Sequence, residues 1–193
     1  MSDVAFLVRD PDEDDGGADI VFAEDIEAAK RIGAYRLISE EECLEVERQS
    51  EFDEHADRGY VPPAVLIDRG WHFWCRYCDR KVDDEDEDSD GNILTPVFDG
   101  RTVFCSSDCQ LAHQIDAGKR DKRHDELRQR LITKYPTLSS LSIYGGWQDM
   151  ELYANFSFSG CTRKASWRSN DPNHVTISGC DLEAWKAFNA EVV

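Results

Sequence analysis

No stretch of the chain approaches the roughly 18 uninterrupted apolar residues of a membrane-spanning helix, so the sequence reads as that of a protein outside the membrane. The opening Met1-Ser2-Asp3-Val4 has no basic stretch followed by an apolar run, which points to the cytoplasm rather than a secretory route. Positive charge is scarce. There are 22 Lys plus Arg against 40 Asp plus Glu, for a formal net charge of −18. A field of that sign repels polyanions, which counts against nucleic-acid binding as the default role. Catalytic motifs are also missing. There is no P-loop and no glycine-rich dinucleotide loop. His55, His72, His113, His124 and His174 sit in five unrelated contexts, none beside a nucleophile motif, so the expectation is a protein that is not an enzyme.

What remains is a chain of 193 residues that is 40% hydrophobic and contains five Trp, six Tyr and nine Phe, enough for one domain or two small ones and against full disorder. Its charge is unevenly placed. Residues 1–100 hold 10 basic and 29 acidic side chains, residues 101–134 hold 8 and 5, and residues 135–193 hold 4 and 6. The acids cluster at 10–15, 40–54 and 83–90. A halophile's surface would spread them evenly.

Three parts are expected within an α+β fold. In residues 1–60, the apolar runs Val4-Ala5-Phe6-Leu7-Val8 and Ile20-Val21-Phe22-Ala23 flank a polar turn and predict paired strands. Ile26, Ala29 and Gly33 then recur at helical spacing. Tyr35-Arg36-Leu37-Ile38 reads as a third strand, and Ser39 with Glu42 as a capping box for a helix carrying Cys43, Leu44 and Val46, with Cys43 in the core. Val61-Pro62-Pro63 marks a boundary. Residues 61–134 contain four cysteines and a basic helical stretch. In residues 135–193, alternating segments at 141–144, 152–158, 165–167 and 174–177 predict a β-meander. Asp181 is placed to cap a last helix bearing Leu182, Trp185 and Phe188.

The cysteines carry the strongest signal. Cys75-Arg76-Tyr77-Cys78 is a C-x2-C pair, and Cys105-Ser106-Ser107-Asp108-Cys109 is a C-x3-C pair, with 26 residues between them. Two close pairs of thiolates fit a tetrahedral four-cysteine zinc site. Four protein ligands leave no position for a reactive water, so Zn2+ here is expected to be structural. His113, one helical turn after Cys109, is a candidate substitute or neighbouring group. Cys161 and Cys180, each after Ser-Gly, read as a reduced pair facing each other.

Cys75-x2-Cys78 followed by Val103-Phe104-Cys105-Ser106-Ser107-Asp108-Cys109 resembles the treble-clef zinc fingers of the FCS, MYM and TRASH type. The resemblance covers about 40 of the 193 residues. It implies a knuckle at Cys75 and Cys78, a short hairpin, and a helix starting near Ser106 that presents Cys109. Its relatives include interaction modules, metallochaperones and a small bacterial gyrase inhibitor; this chain lacks the proline of that inhibitor's first knuckle. The whole chain also looks like small bacteriophage proteins in which a Gly-Trp pair, here Gly70-Trp71, precedes such a finger.

Between the pairs, Asp83, Asp84, Glu85, Asp86, Glu87, Asp88 and Asp90 crowd seven carboxylates into eight residues, which predicts a mobile, solvated segment. Three readings stand side by side: a charge run with no partner, a surface imitating a phosphate row, or a calcium loop. The last rests on Asp86-x-Asp88-x-Asp90-Gly91, but Val97 occupies the closing position where a bidentate Glu belongs. The basic stretch from Gln110 to Lys134 reads as a surface helix pair facing the acidic first half, with Lys119, Arg120, Lys122, Arg123, Arg128 and Arg130 outward and Gly118 between two apolar pairs, a nucleic-acid contact being the alternative.

The functional expectation is a non-catalytic, zinc-containing, acidic binding protein of phage type. It would inhibit a larger host protein by occupying a basic nucleic-acid-binding surface, in the manner of DNA mimics and anti-CRISPR proteins. The alternatives are a zinc-finger adaptor or nucleic-acid-associated factor using the basic helix and, more weakly, a treble-clef nuclease.

Overall fold

Val4–Arg9 (β1) and Ala18–Ala23 (β2) form the hairpin that their apolar runs predict, in a register from Val4 opposite Ala23 to Arg9 opposite Ala18. The computed structural model describes residues 3–12, 17–85 and 95–190. It is α+β, with two compact units, Met1–Cys109 and Gln110–Val193.

In the first unit β1 is the central strand of a three-stranded sheet ordered β2, β1 and Glu45–Arg48 (β3). Successive side chains point to opposite faces, and both faces of β1 are covered, which is why its sequence is a continuous apolar run and not an alternating one. Phe6 and Val8 join Val21, Ala29 and Leu44 in one cluster. Ala5 joins Ile20, Phe22, Phe52, Val61 and Leu66 in another. Ile26–Leu37 (α1) is capped by Asp25, whose carboxylate accepts the Ala28 N–H at 2.8 Å.

Two local expectations are corrected here. Residues 35–37 finish α1, which is stopped by Ile38 in the left-handed region at φ 57°. Arg36 reaches from that last turn to Asp19 at 2.8 Å, an anchor that favours another helical turn over a strand. The expected helix over 39–46 is a short 3-10 turn, Glu41–Cys43, followed by β3. Ser39 spends its hydroxyl on Asp10 at 2.6 Å and caps nothing. The free edge of β1 recruits Val46 and its neighbours as a strand, and the side-chain pair Arg9–Glu45 supports it at 2.7 Å. Cys43, expected in the core, is exposed.

Pro63–Ile67 (α2) then leads to two small hairpins. Phe73–Trp74 (β4) pairs with Lys81–Val82 (β5), and Val97–Asp99 (β6) pairs with Thr102–Phe104 (β7). Ser107–Lys134 (α3) follows as one uninterrupted helix. Gly118 lies within it without breaking it.

The second unit is the expected meander. Ser140–Gly145 (β8), Leu152–Ser157 (β9), Ala165–Arg168 (β10) and Asp171–Thr176 (β11) lie in sequential antiparallel order. Its apolar face carries Leu152, Ala154, Phe156, Ala165 and Trp167. These pack with Leu127, Leu131 and Tyr135 and with Phe188 of Leu182–Ala190 (α4). Asp181, expected to cap α4, instead accepts hydrogen bonds from the Thr162 N–H, the Thr162 hydroxyl and the Arg163 N–H at 2.8–2.9 Å. It is buried, and it fastens the 162–163 turn to the start of α4. Among the described residues no helix is long and apolar enough to cross a membrane.

Candidate metal centre

The two cysteine pairs, far apart in sequence, meet in the first unit. One ligand atom from each of Cys75, Cys78, Cys105 and Cys109 lies within 4.8 Å of all the others. The Sγ atoms of Cys78 and Cys105 are 3.6 Å apart, and those of Cys105 and Cys109 are 3.5 Å apart. These separations are far too long for a disulfide, whose sulfurs lie about 2.0 Å apart. They approach the ~3.8 Å edge of a tetrahedron of sulfurs set ~2.3 Å from a central ion. All seven cysteines are free, and these four form a cluster able to hold a metal ion.

Each ligand has a local reason for its position. β4 and β5 bring the chain into and out of the first turn. The Cys75 N–H donates to Arg80 O at 2.7 Å, the Asp79 N–H donates back to Cys75 O at 3.0 Å, and Asp79 adopts φ 55° to close the loop. The Arg76 N–H donates to Val103 O at 2.9 Å, joining this turn to β7. β7 delivers Cys105. Ser106 then caps α3, its hydroxyl accepting the Cys109 N–H at 3.2 Å, the usual bond from an N-cap to the third helical residue. That cap fixes Cys109 one turn from Cys105.

Burial raises the Cys75 thiol, yet N–H groups of Cys105, Cys78 and Tyr77 directed at its sulfur outweigh that and bring it down to about 7. Burial pushes Cys105 and Cys109 up, and the neighbouring thiols add to the rise at Cys105. Cys75 and Cys105 are buried with Ile67, Val82, Val103 and Phe104, while Cys78 is at the surface.

The other residues singled out in the sequence lie elsewhere. Asp83 accepts from Lys81 Nζ at 2.9 Å, and that contact holds its carboxyl below the usual range. Asp84 and Glu85 are exposed. Asp86, Glu87, Asp88 and Asp90, and with them the calcium reading, fall outside the described residues. The His113 ring stacks on Trp147 at 5.0 Å. Cys161 Sγ accepts the Phe158 N–H, while exposed Cys180 lies 3.1 Å from the Ser178 hydroxyl and 3.4 Å from that of Thr162.

The basic side of α3 is largely engaged within the second unit. Arg120 lies over the Trp147 ring at 4.1 Å, Arg123 donates to Gly146 O and Met150 O, and Arg130 covers Trp167 at 4.9 Å.

Sequence reasoning missed a cavity of about 260 Å³ in the first unit. Tyr60, Trp71, His72, Phe73 and Trp74 line it, with Arg101 and Asp19. The available signal is the run of four aromatic rings at 71–74, directly before the cysteines. No family model, no curated protein and no solved structure matches this chain.

Proposed function

We propose that this chain is a non-catalytic binding protein, built around a structural Zn2+, that sets its acidic first unit against a basic nucleic-acid-binding surface of a larger protein. In this reading it is a phage-type inhibitor in the manner of DNA mimics and anti-CRISPR proteins. The observation that carries the reading is that charge and fold divide at nearly the same place. Residues 1–109 hold 11 basic and 30 acidic side chains, a net of −19, whereas residues 110–193 hold 11 and 10. A unit so charged draws a basic partner and excludes polyanions from its own surface.

The zinc assignment rests on ligand chemistry. Four cysteine sulfurs near tetrahedral spacing suit Zn2+, and with every position taken by protein its contribution is to folding. The order of knuckle, hairpin and helix N-terminus agrees with a treble clef. Cys75 and Cys78 would hold the ion from the knuckle, and Cys105 and Cys109 from the end of the hairpin and the first turn of α3.

The rival reading uses the basic helix for nucleic acid. It is less well supported, because Arg120, Arg123 and Arg130 are engaged by Trp147, backbone carbonyls and Trp167. The test is capture of partners by the tagged protein from a host lysate, with and without nuclease and across salt. The expected result is a basic nucleic-acid-handling protein that survives nuclease, leaves at high salt and, once purified, loses its nucleic-acid binding when this chain is added. Recovery of nucleic acid itself, or capture lost on nuclease treatment, overturns the proposal in favour of the helix.

A further inference from the structure

The aromatic cavity of the first unit belongs neither to the metal centre nor to the acidic surface. Its walls come from four places: β2 around Asp19, the segment from Tyr60 to Leu66, residues 71–74 leading into Cys75, and Arg101 in the turn between β6 and β7. His72 meets Trp74 edge to face, with ring centroids 6.0 Å apart at 90°. Trp74 keeps 54% of its surface exposed while lining the cavity. Such walls favour a flat ring by offset or edge stacking.

The polar groups select further. Asp19 accepts from Arg36 at 2.8 Å and from Arg101 at 2.9 and 3.0 Å, so one carboxylate is shared by two guanidinium groups and the trio keeps one positive charge. Arg101 spends only Nη2 on Asp19. Among the described residues no acceptor bonds its Nε or Nη1. A guanidinium held in place on one edge with its other edge unspent is a ready partner for a planar or tetrahedral anion. Of the trio, Asp19 and Arg101 line the cavity and cancel in charge, so this wall is not acidic although the unit around it is. A polyanionic strand would meet the surrounding acids, whereas a small ligand with one anionic group would not. The volume agrees, since about 260 Å³ lies just below the usual range of roughly 300–1,000 Å³ for ligand pockets and suits a single ring system.

We infer that this cavity binds a small aromatic ligand carrying one anionic group, the ring stacking on Trp74 and its aromatic neighbours and the anion meeting the outer edge of Arg101. The chemistry is shared by nucleoside monophosphates and by aromatic carboxylates. The inference is independent of the acidic docking surface. Its test uses the full metal-loaded chain and purified small molecules, so it can fail while partner capture succeeds, or the reverse.

Calorimetry and tryptophan fluorescence are run with adenosine and uridine monophosphates in one arm and with benzoate and indole-3-carboxylate in the other. Adenosine and inorganic phosphate serve as the ring without charge and the charge without ring. The expected result is saturable binding with altered fluorescence in at least one arm, which identifies the source of the ring. Adenosine and phosphate should bind at least about tenfold more weakly, as the loss of a charge-assisted hydrogen bond or of the stacking face requires. Arg101→Gln and Trp74→Ala should each weaken binding by a similar factor with unchanged circular dichroism and metal content; Trp74→Leu replaces the second variant should it not fold. Absence of saturable binding in both arms, adenosine binding as tightly as its monophosphate, or full binding by folded Arg101→Gln overturns the inference.

Discussion

Gly33 of α1 lies against Val8 of β1 so closely that a Cβ on Gly33 would sit 2.4 Å from Val8 Cγ1. Val8 is fully buried at the centre of the sheet and has nowhere to retreat. Two effects of Gly33→Ala therefore oppose each other. The helix gains up to about 1 kcal/mol from replacing glycine, and the overpacked contact costs about 1–3 kcal/mol. The clash should prevail, lowering the urea midpoint. Gly118→Ala in α3 is the control, because a Cβ there meets nothing within 4 Å. That variant should be stabilised by up to about 1 kcal/mol. A stabilised Gly33→Ala would show that α1 does not approach β1 as described.

Replacement of one metal ligand should unfold its surroundings. Structural zinc in small four-ligand sites contributes on the order of 10 kcal/mol of folding free energy. Under the proposed zinc site, Cys75→Ser or Cys105→Ser should retain no metal ion and lose the ordered hairpins, read by mass spectrometry under native conditions and by near-ultraviolet circular dichroism. Cys43→Ser, at an exposed position outside the cluster, should keep both. Retained metal in Cys75→Ser would exclude the four-cysteine site.

Chelation offers a second view of the same centre. Trp74 adjoins Cys75, so its emission should shift on metal removal and return on adding Zn2+. Binding needs thiolates, so it should release protons and weaken as pH falls. Titrations in buffers of different ionisation enthalpy measure the number released.

Acid should destabilise both units. The Arg48 guanidinium and the Ala5 N–H hold Asp53 below the usual carboxylate range, and the Thr162 and Arg163 donors do the same for Asp181. A carboxylate whose folded pKa is depressed contributes stability that is present above its unfolded value, near 3.9, and lost as pH falls through the folded one. Urea midpoints should therefore be insensitive to these groups at neutral pH and fall below about pH 4. Asp181→Asn should have a lower midpoint at pH 7 and a smaller acid loss, since an amide NH2 faces a donor that the carboxylate oxygen accepted. An unchanged acid profile in Asp181→Asn would remove Asp181 from the account.

Replacing Asp84, Glu85, Asp86, Glu87, Asp88 and Asp90 by Ser should abolish partner capture under the proposed function while leaving metal content unchanged. Asp83 is kept in one variant because it is bonded to Lys81 and to the Glu85 N–H. Capture should be lost with or without that replacement. Full capture by both variants would move the docking surface to the other acids of the first unit.

The elements that could be read from the chain are those whose signal is local. The hairpin of β1 and β2, the meander from β8 to β11 and the last helix follow from apolar spacing within a few residues. The cysteine pairs were legible because a metal site needs its ligand types in tight turns. Residues 35–48 were misread because their local preferences are weak and distant partners decided between helix and strand. Arg36 had Asp19 to reach, Ser39 had Asp10, and Val46 had the open edge of β1.

The sequence by itself determined the apolar runs that became β1, β2 and the meander, where the paired cysteines lie and how unequal the two halves are in charge, because composition and short-range spacing are properties of the chain. Only the tertiary structure decided that Cys75 and Cys78 meet Cys105 and Cys109, that Asp181 serves the 162–163 turn and not α4, and that the rings at 71–74 close a cavity with Arg101. Each of these joins segments distant in sequence, and which distant groups meet is settled by packing and by the need to satisfy buried polar atoms, neither of which leaves a periodic mark on the chain.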